Sequence, residues 1–153
     1  MNNIIRIPNI CNYQHQIINN ELVLTPISIF RLISLDELVN LNLTNSNIID
    51  CIITDNDNEI VPLLNNTYRR ILISIYRTLP ASFILQNTTF NIKLTNESGY
   101  RGYTWHPEIN MSIQGKDSNG TFKEIIRMIN LNNYKIDIKI DLFNNEKINY
   151  RNY

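Results

Sequence analysis

Tyr100, Arg101, Tyr103, Trp105 and His106 stand together in the stretch NESGYRGYTWHPE, residues 96–108, and are the side chains of this sequence best equipped for recognition. Tyrosine, tryptophan and arginine dominate binding hot spots because they bring large contact areas at small cost in conformational entropy. Gly99 and Gly102 flank the arginine, and Gly115 and Gly120 follow. All four glycines of the chain therefore fall between positions 99 and 120, close to its one tryptophan and one of its two histidines. Glycine permits backbone angles and close approaches that other residues forbid. The spacing predicts a loop of about a dozen residues between a strand ending at Thr95 and one beginning near Glu108, longer than most connections in a compact domain and so a candidate contact surface. The opposing reading folds this loop onto the sheet, with Trp105 as a core plug.

Aromatic residues alternating with arginine also suit single-stranded RNA or DNA, where rings stack on bases and guanidinium groups meet phosphates. Arg69, Arg70 and Arg77 on one helix face, with Lys116 and Lys123, would supply anion contacts. A net charge of zero and the lack of an RNP, KH or zinc-knuckle signature weigh against it. Residues 112–125, SIQGKDSNGTFKEI, read as a strand, a glycine turn and a helix start. Such a start could hold a phosphate with Lys116 or Lys123. The spacing matches neither GxxxxGK[ST] nor GxGxxG, and a simple connection turned by Asn119-Gly120 and capped by Thr121 accounts for every residue.

The enzymatic and metal readings are weaker. His106 and Glu108 share a face of an extended segment, but no nucleophile stands beside them and no GxSxG occurs. In TDNDNEI, Asp55, Asp57 and Glu59 alternate as in a calcium loop, yet Ile60 occupies the glycine position and Asn66 the distal glutamate position. Cys11, His15, Cys51 and His106 form four zinc ligands only on paper, since only Cys11 and His15 are close in sequence and there is no CxxC. Cys51, within an apolar run, reads as buried. We therefore expect no catalytic residues, no metal and no cofactor.

The elements that must position these residues follow from periodicity. SLDELVNL carries Ser34 and Glu37 in capping-box spacing, and NIIDCIIT reads as a largely buried strand. NNTYRRILISIYRTLP is a helix with Leu64, Tyr68, Ile71, Leu72, Ile75, Tyr76 and Leu79 inward, Arg69, Arg70, Ser74 and Arg77 outward, and Pro80 as its stop. SFILQ and TTFNIKLT read as strands, as do NIIRIP, NELVLTPISIF and EINMSIQ. Thr121 and Glu124 form a second capping-box pattern, opening a helix that buries Phe122, Ile125, Ile126 and Ile129. YKIDIKIDL alternates strictly, and Asn144-Asn145 turns it into KINYRNY. The expected fold is α+β: a largely antiparallel sheet with two principal helices packed on one face, a single domain over 1–153 whose first ~15 residues form an edge strand or arm.

Bulk properties fit that picture. Residues 1–60 carry two basic and seven acidic side chains, and residues 61–153 carry twelve and seven, so the halves bear −5 and +5. This asymmetry either faces an anion or draws the halves of one domain together. With no signal-peptide pattern and no membrane-length apolar run, a cytoplasmic location without a membrane partner is expected, and the Asn-X-Ser/Thr sequons carry no message. The chain holds 26 Asn and 28 Ile, the bias of an AT-rich genome. In that composition, and in the segment GYRGYTWHPEINMSIQGKDSNGTFKEI, the sequence resembles proteins of Mimivirus-type giant DNA viruses. The resemblance implies a viral protein in infected-cell cytoplasm or in the particle, and brings no site residues with it. The functional expectation is a small non-enzymatic protein-interaction module using the 99–107 loop, extended by Gly115 to Gly120 if the two loops share an end of the sheet. Nucleic-acid binding is the alternative, and self-association is left open.

Overall fold

The strictest alternation in the sequence forms the centre of the largest sheet. In β8 (Lys135–Asp141), Ile136, Ile138 and Ile140 are fully buried while lysines and aspartates face the other way. The computed structural model describes the backbone of residues 12–27 and 30–153 and the side chains of 15–24 and 30–153. The strand expected at NIIRIP, and Cys11, lie outside these residues. β8 pairs antiparallel with β4 (Asn47–Thr54) and with β9 (Lys147–Arg151), and β9 pairs in parallel with the short β3 (Arg31–Leu32), giving the order β3-β9-β8-β4. On the face away from the isoleucines, charges meet across the strands. Arg151 lies 3.0 Å from Asp137 and Lys147 lies 3.2 Å from Asp141, each a directly opposite pair in the ladder.

Ahead of this sheet, β1 (Asn12–Ile18) and β2 (Glu21–Ile27) form a separate hairpin turned by Asn19 and Asn20, both at positive φ as a tight two-residue turn requires. A third sheet, ordered β5-β7-β6, is built from β5 (Ile92–Lys93), β6 (Tyr103–His106) and β7 (Met111–Gln114). The α+β architecture is thus present, with its strands divided among three sheets.

α1 (Leu35–Val39) begins as its sequence predicts: the Ser34 hydroxyl accepts from the Glu37 N–H at 3.2 Å. α2 (Tyr68–Tyr76) is capped by Thr67 and packs against α4 (Ser118–Leu131), with Tyr68 edge-on to Phe122 at 5.7 Å between ring centroids. The expected outward face of α2 is partly covered, with Arg77 exposed and Arg69 and Arg70 half-buried. Ser74 is buried, donating to the Arg70 carbonyl and accepting from the Leu64 N–H, and α2 is buried continuously from Ile71 to Tyr76. On that face Arg70 pairs with Glu108 of the 107–110 turn at 2.6 Å.

Three further expectations are corrected. SFILQ lies in a helix, α3 (Ala81–Asn87), opened by Pro80, whose carbonyl accepts from the Phe83 and Ile84 N–H groups. A five-residue apolar run does not distinguish helix from strand, and the φ of Pro80 favours the helical entry. The strand expected over TTFNIKLT contracts to Ile92–Lys93, because Thr88 and Thr89 spend their hydroxyls on tertiary contacts. The Thr121–Glu124 capping box does not form. Asp117 caps α4 instead, accepting from the Gly120 N–H at 2.7 Å, so the helix begins earlier and Gly120 lies within it.

Candidate interaction surface at the glycine-lined end of the small sheet

Asparagine performs most of the sharp turning in this chain. Asn19, Asn20, Asn45, Asn58, Asn110, Asn133 and Asn145 all take φ between 53° and 64°, the left-handed minimum that asparagine tolerates better than most residues. Gly99 and Gly102 stand at 83° and 77°, beyond the range of about +50° to +70° open to side-chain-bearing residues. Glycine is used where asparagine cannot serve. Between these glycines sits Arg101 at φ 45°, the one positive-φ position among the described residues that is neither glycine nor asparagine.

The stretch expected to be a long loop is half strand. Its first part folds into a turn closed by the Tyr103 N–H donating to the Tyr100 carbonyl at 2.9 Å. Its second part is β6, an edge strand that pairs with β7 through a turn at 107–110. The free side of β6 is partly covered: the Gly99 N–H donates to the Tyr103 carbonyl, and the Trp105 N–H to the Ser98 hydroxyl at 2.9 Å. Such covering blunts an edge that would otherwise add further strands.

The two-residue period of β6 divides its side chains. Thr104 and His106 lie opposite Ile113 and Met111; Thr104 is exposed, while His106 is turned to the core and only 3% exposed. Tyr103 and Trp105 lie opposite Gln114 and Ser112 on the other face and are half-buried. Trp105 is therefore not a core plug, and His106 takes no part in the outer surface. Ser112 on that face is closed off by its own bonds, donating to the Thr95 carbonyl and accepting from the Glu97 N–H. Tyr100 is 55% exposed at the turn, with the Arg101 guanidinium 5.2 Å from its ring centre.

Gly115 meets this turn directly, its N–H donating to the Gly102 carbonyl at 3.0 Å. The Gln114 amide adds a bond to the Arg101 carbonyl at 2.8 Å and accepts one from Asn91. A Cβ at Gly115 would lie 3.7 Å from both the Gly102 carbonyl oxygen and Arg69 Nη2, so the arginine of α2 reaches the same end of the sheet. Arg69 and Lys116 both lie over the ring of buried Phe90, at 5.2 and 4.6 Å from its centre. Lys116 also donates to the Thr89 carbonyl and hydroxyl. Arg69, Arg101 and Lys116 make no ion pair among the described residues. Burial lowers the pKa of Arg69, and its Nη1 has no hydrogen-bond partner there. The remaining cations proposed from sequence lie elsewhere. Arg70 is committed to Glu108, whose pKa it lowers; Arg77 caps the far end of α2; Lys123 sits midway along α4.

His106 is buried beside Arg69, Arg70 and Glu108. Burial holds its pKa down at about 4, the charges of Arg69 and Arg70 push the same way, and Glu108 opposes them. Its Nε2 is buried without a partner among the described residues. Cys51 is buried in β4, and burial raises its thiol to about 12, so it stays protonated. Asp55 spends one carboxylate oxygen on the N–H groups of Asp57 and Glu59, closing its own loop. No group of three or more His, Cys, Asp or Glu side chains placed to hold a metal occurs among the described residues. Among those residues no helix is long and apolar enough to cross a membrane.

The polar centre that sequence reading missed is Glu124. It is 1% exposed on α4 and accepts from the Thr89 N–H at 3.1 Å, the Thr89 hydroxyl at 2.6 Å and the Tyr76 hydroxyl at 3.2 Å, with Arg127 Nη1 at 3.8 Å. Tyr76 also bonds Thr88, and Arg127 donates to the Asn87 carbonyl. This carboxylate fastens the 87–91 segment, and with it Phe90, to both principal helices. No protein-family model, curated protein or solved structure matches this chain.

Proposed function

We propose that this chain is a non-enzymatic protein-interaction module whose contact surface is formed by Tyr100, Arg101, Tyr103 and Trp105, with Lys116 and Arg69 at its margin. The observation that carries this reading is the backbone at Arg101. A bulky residue at positive φ costs roughly 1–2 kcal/mol, and such strain persists where the side chain is needed in place. The chain has asparagine at every other non-glycine position of this kind among the described residues, so the arginine is an exception to its own habit. The resemblance to giant-virus proteins extends the proposal to a viral protein in infected-cell cytoplasm or in the particle.

Nucleic-acid binding is the second reading. It is favoured by three cations at one end of a sheet, none ion-paired among the described residues, beside exposed aromatic surface. One experiment separates the two. The purified protein and a Tyr100→Ala/Arg101→Ala/Trp105→Ala variant are immobilised and exposed to cell lysate, with and without nuclease. Protein partners lost by the variant and indifferent to nuclease support the first reading. Partners that vanish with nuclease, and with moderate salt, support the second. Identical profiles for the two proteins refute both.

A further inference from the structure

Away from this surface, α1, the 40–43 loop and the outer face of α4 enclose a groove of about 770 Å³, within the range of about 300–1,000 Å³ typical of ligand-sized clefts. Its floor is Leu38, Leu43, Phe122 and Ile126, and Leu35 and Val39 are exposed along one wall. Asn119 closes one end, accepting from the Leu43 N–H at 2.8 Å. Lys123 and Arg127 line the groove, and no aspartate or glutamate does.

The β1–β2 hairpin has the complementary character. Ile17 and Leu22 face each other across its tip at 73% and 56% exposure, and Ile18 and Val23 are exposed on the opposite face. Residues 12–27 contain Glu21 at the tip and no lysine or arginine. A two-stranded hairpin is at best marginally stable in water unless its apolar side chains are covered. Among the described residues, none of the hairpin lines the chain's own groove.

We propose that the occupant of the groove is a second copy of this chain. The tip of each hairpin seats Ile17 and Leu22 on the groove floor of the other, and Glu21 at the turn meets Lys123 and Arg127. The exchange is reciprocal, so the pair closes with twofold symmetry.

Sedimentation equilibrium of the full chain tests this. A species of twice 18.0 kDa is expected at micromolar concentration. Leu22→Asp should weaken it at least a hundredfold while leaving the circular dichroism spectrum of the body unchanged. Glu21→Lys and Lys123→Glu should each weaken it about tenfold, and the double variant should regain most of that loss, the signature of a direct charge pair. A monomer at about 100 μM overturns the proposal. So does a dimer indifferent to Leu22→Asp, or a double variant weaker than both singles.

Discussion

Two regions of this molecule treat charge in opposite ways. On the large sheet and along the seam between α2 and α4, three carboxylates are matched, although Lys139 of that sheet lies over the Phe30 ring with no ion pair among the described residues. Asp137 has Arg151, Asp141 has Lys147, and buried Glu124 has two hydroxyls, a backbone N–H and a nearby guanidinium. At the glycine-lined end of the small sheet, Arg69 and Lys116 lean on Phe90 and Arg101 on Tyr100, with no carboxylate paired to any of them among the described residues. Matched charges specify how the chain closes on itself. Unmatched ones, held beside aromatic surface, are available to something else. Substitutions in the two regions should therefore differ in kind as well as in size.

The largest effect is expected at Glu124. Glu124→Ala removes the buried acceptor shared by the Tyr76 hydroxyl, the Thr89 N–H and the Thr89 hydroxyl and leaves a cavity beside them, a loss of about 3–5 kcal/mol in urea unfolding. Arg69→Met, at the other region, should change stability by less than about 1 kcal/mol. It trades a modest cation–π contact for release from a poorly satisfied, partly buried charge. Equal losses at the two sites would break the contrast, because Arg69 would then be structural.

The next effect belongs to His106, which lies between the regions beneath the small sheet. Its folded pKa of about 4 lies below the 6.5 of the free side chain. The fold is thus fully stabilised by keeping this group neutral only above pH 6.5. Stability falls as the pH drops toward 4, because the unfolded chain takes up the proton first. The integrated loss is about 3 kcal/mol. Unfolding free energies of the wild type and a His106→Gln variant, compared between pH 7 and 4.5, should differ in slope by about 2–3 kcal/mol over that window. Parallel slopes would show that His106 titrates as if exposed.

How far these regions were legible in sequence follows the range of the interactions that form them. β8 is readable because alternation is local, and α1 because Ser34 meets Glu37 within one turn; β4 is readable as a strand from its apolar run but is not largely buried, since Ile49 and Ile52 are each 47% exposed. Glu124 was misread for the same reason. Its spacing from Thr121 imitates a cap, while Asp117 made the cap and freed the glutamate for partners on α2 and the 87–91 segment. β6 carries a two-residue period, but its four residues are bracketed by glycine and proline, which masked the strand as loop. The hairpin turn at Asn19-Asn20 carries a local signal, two adjacent asparagines between apolar runs. The meeting of Gly102 with Gly115 could be posed only conditionally, since it depends on the β6–β7 register. The stacking of Arg69 on Phe90 had no local signal at all.

The smallest effect in free energy is the sharpest test of the comparison. Arg101→Asn places at φ 45° the residue type this chain uses at its other left-handed turns. If Arg101 were structural, removing it would lower stability. If it is strained into place for a partner, asparagine should instead raise stability by about 0.5–1 kcal/mol, through relief at a position where a long side chain is disfavoured. The same variant should lose the partner retained by the wild type in the lysate assay, because asparagine supplies neither the guanidinium nor its contact with the Tyr100 ring. A gain in thermal midpoint together with a loss of binding is the signature of a residue kept against its own conformational preference. A variant that is less stable and still binds would move Arg101 into the class of Asp137 and Glu124, whose work is internal.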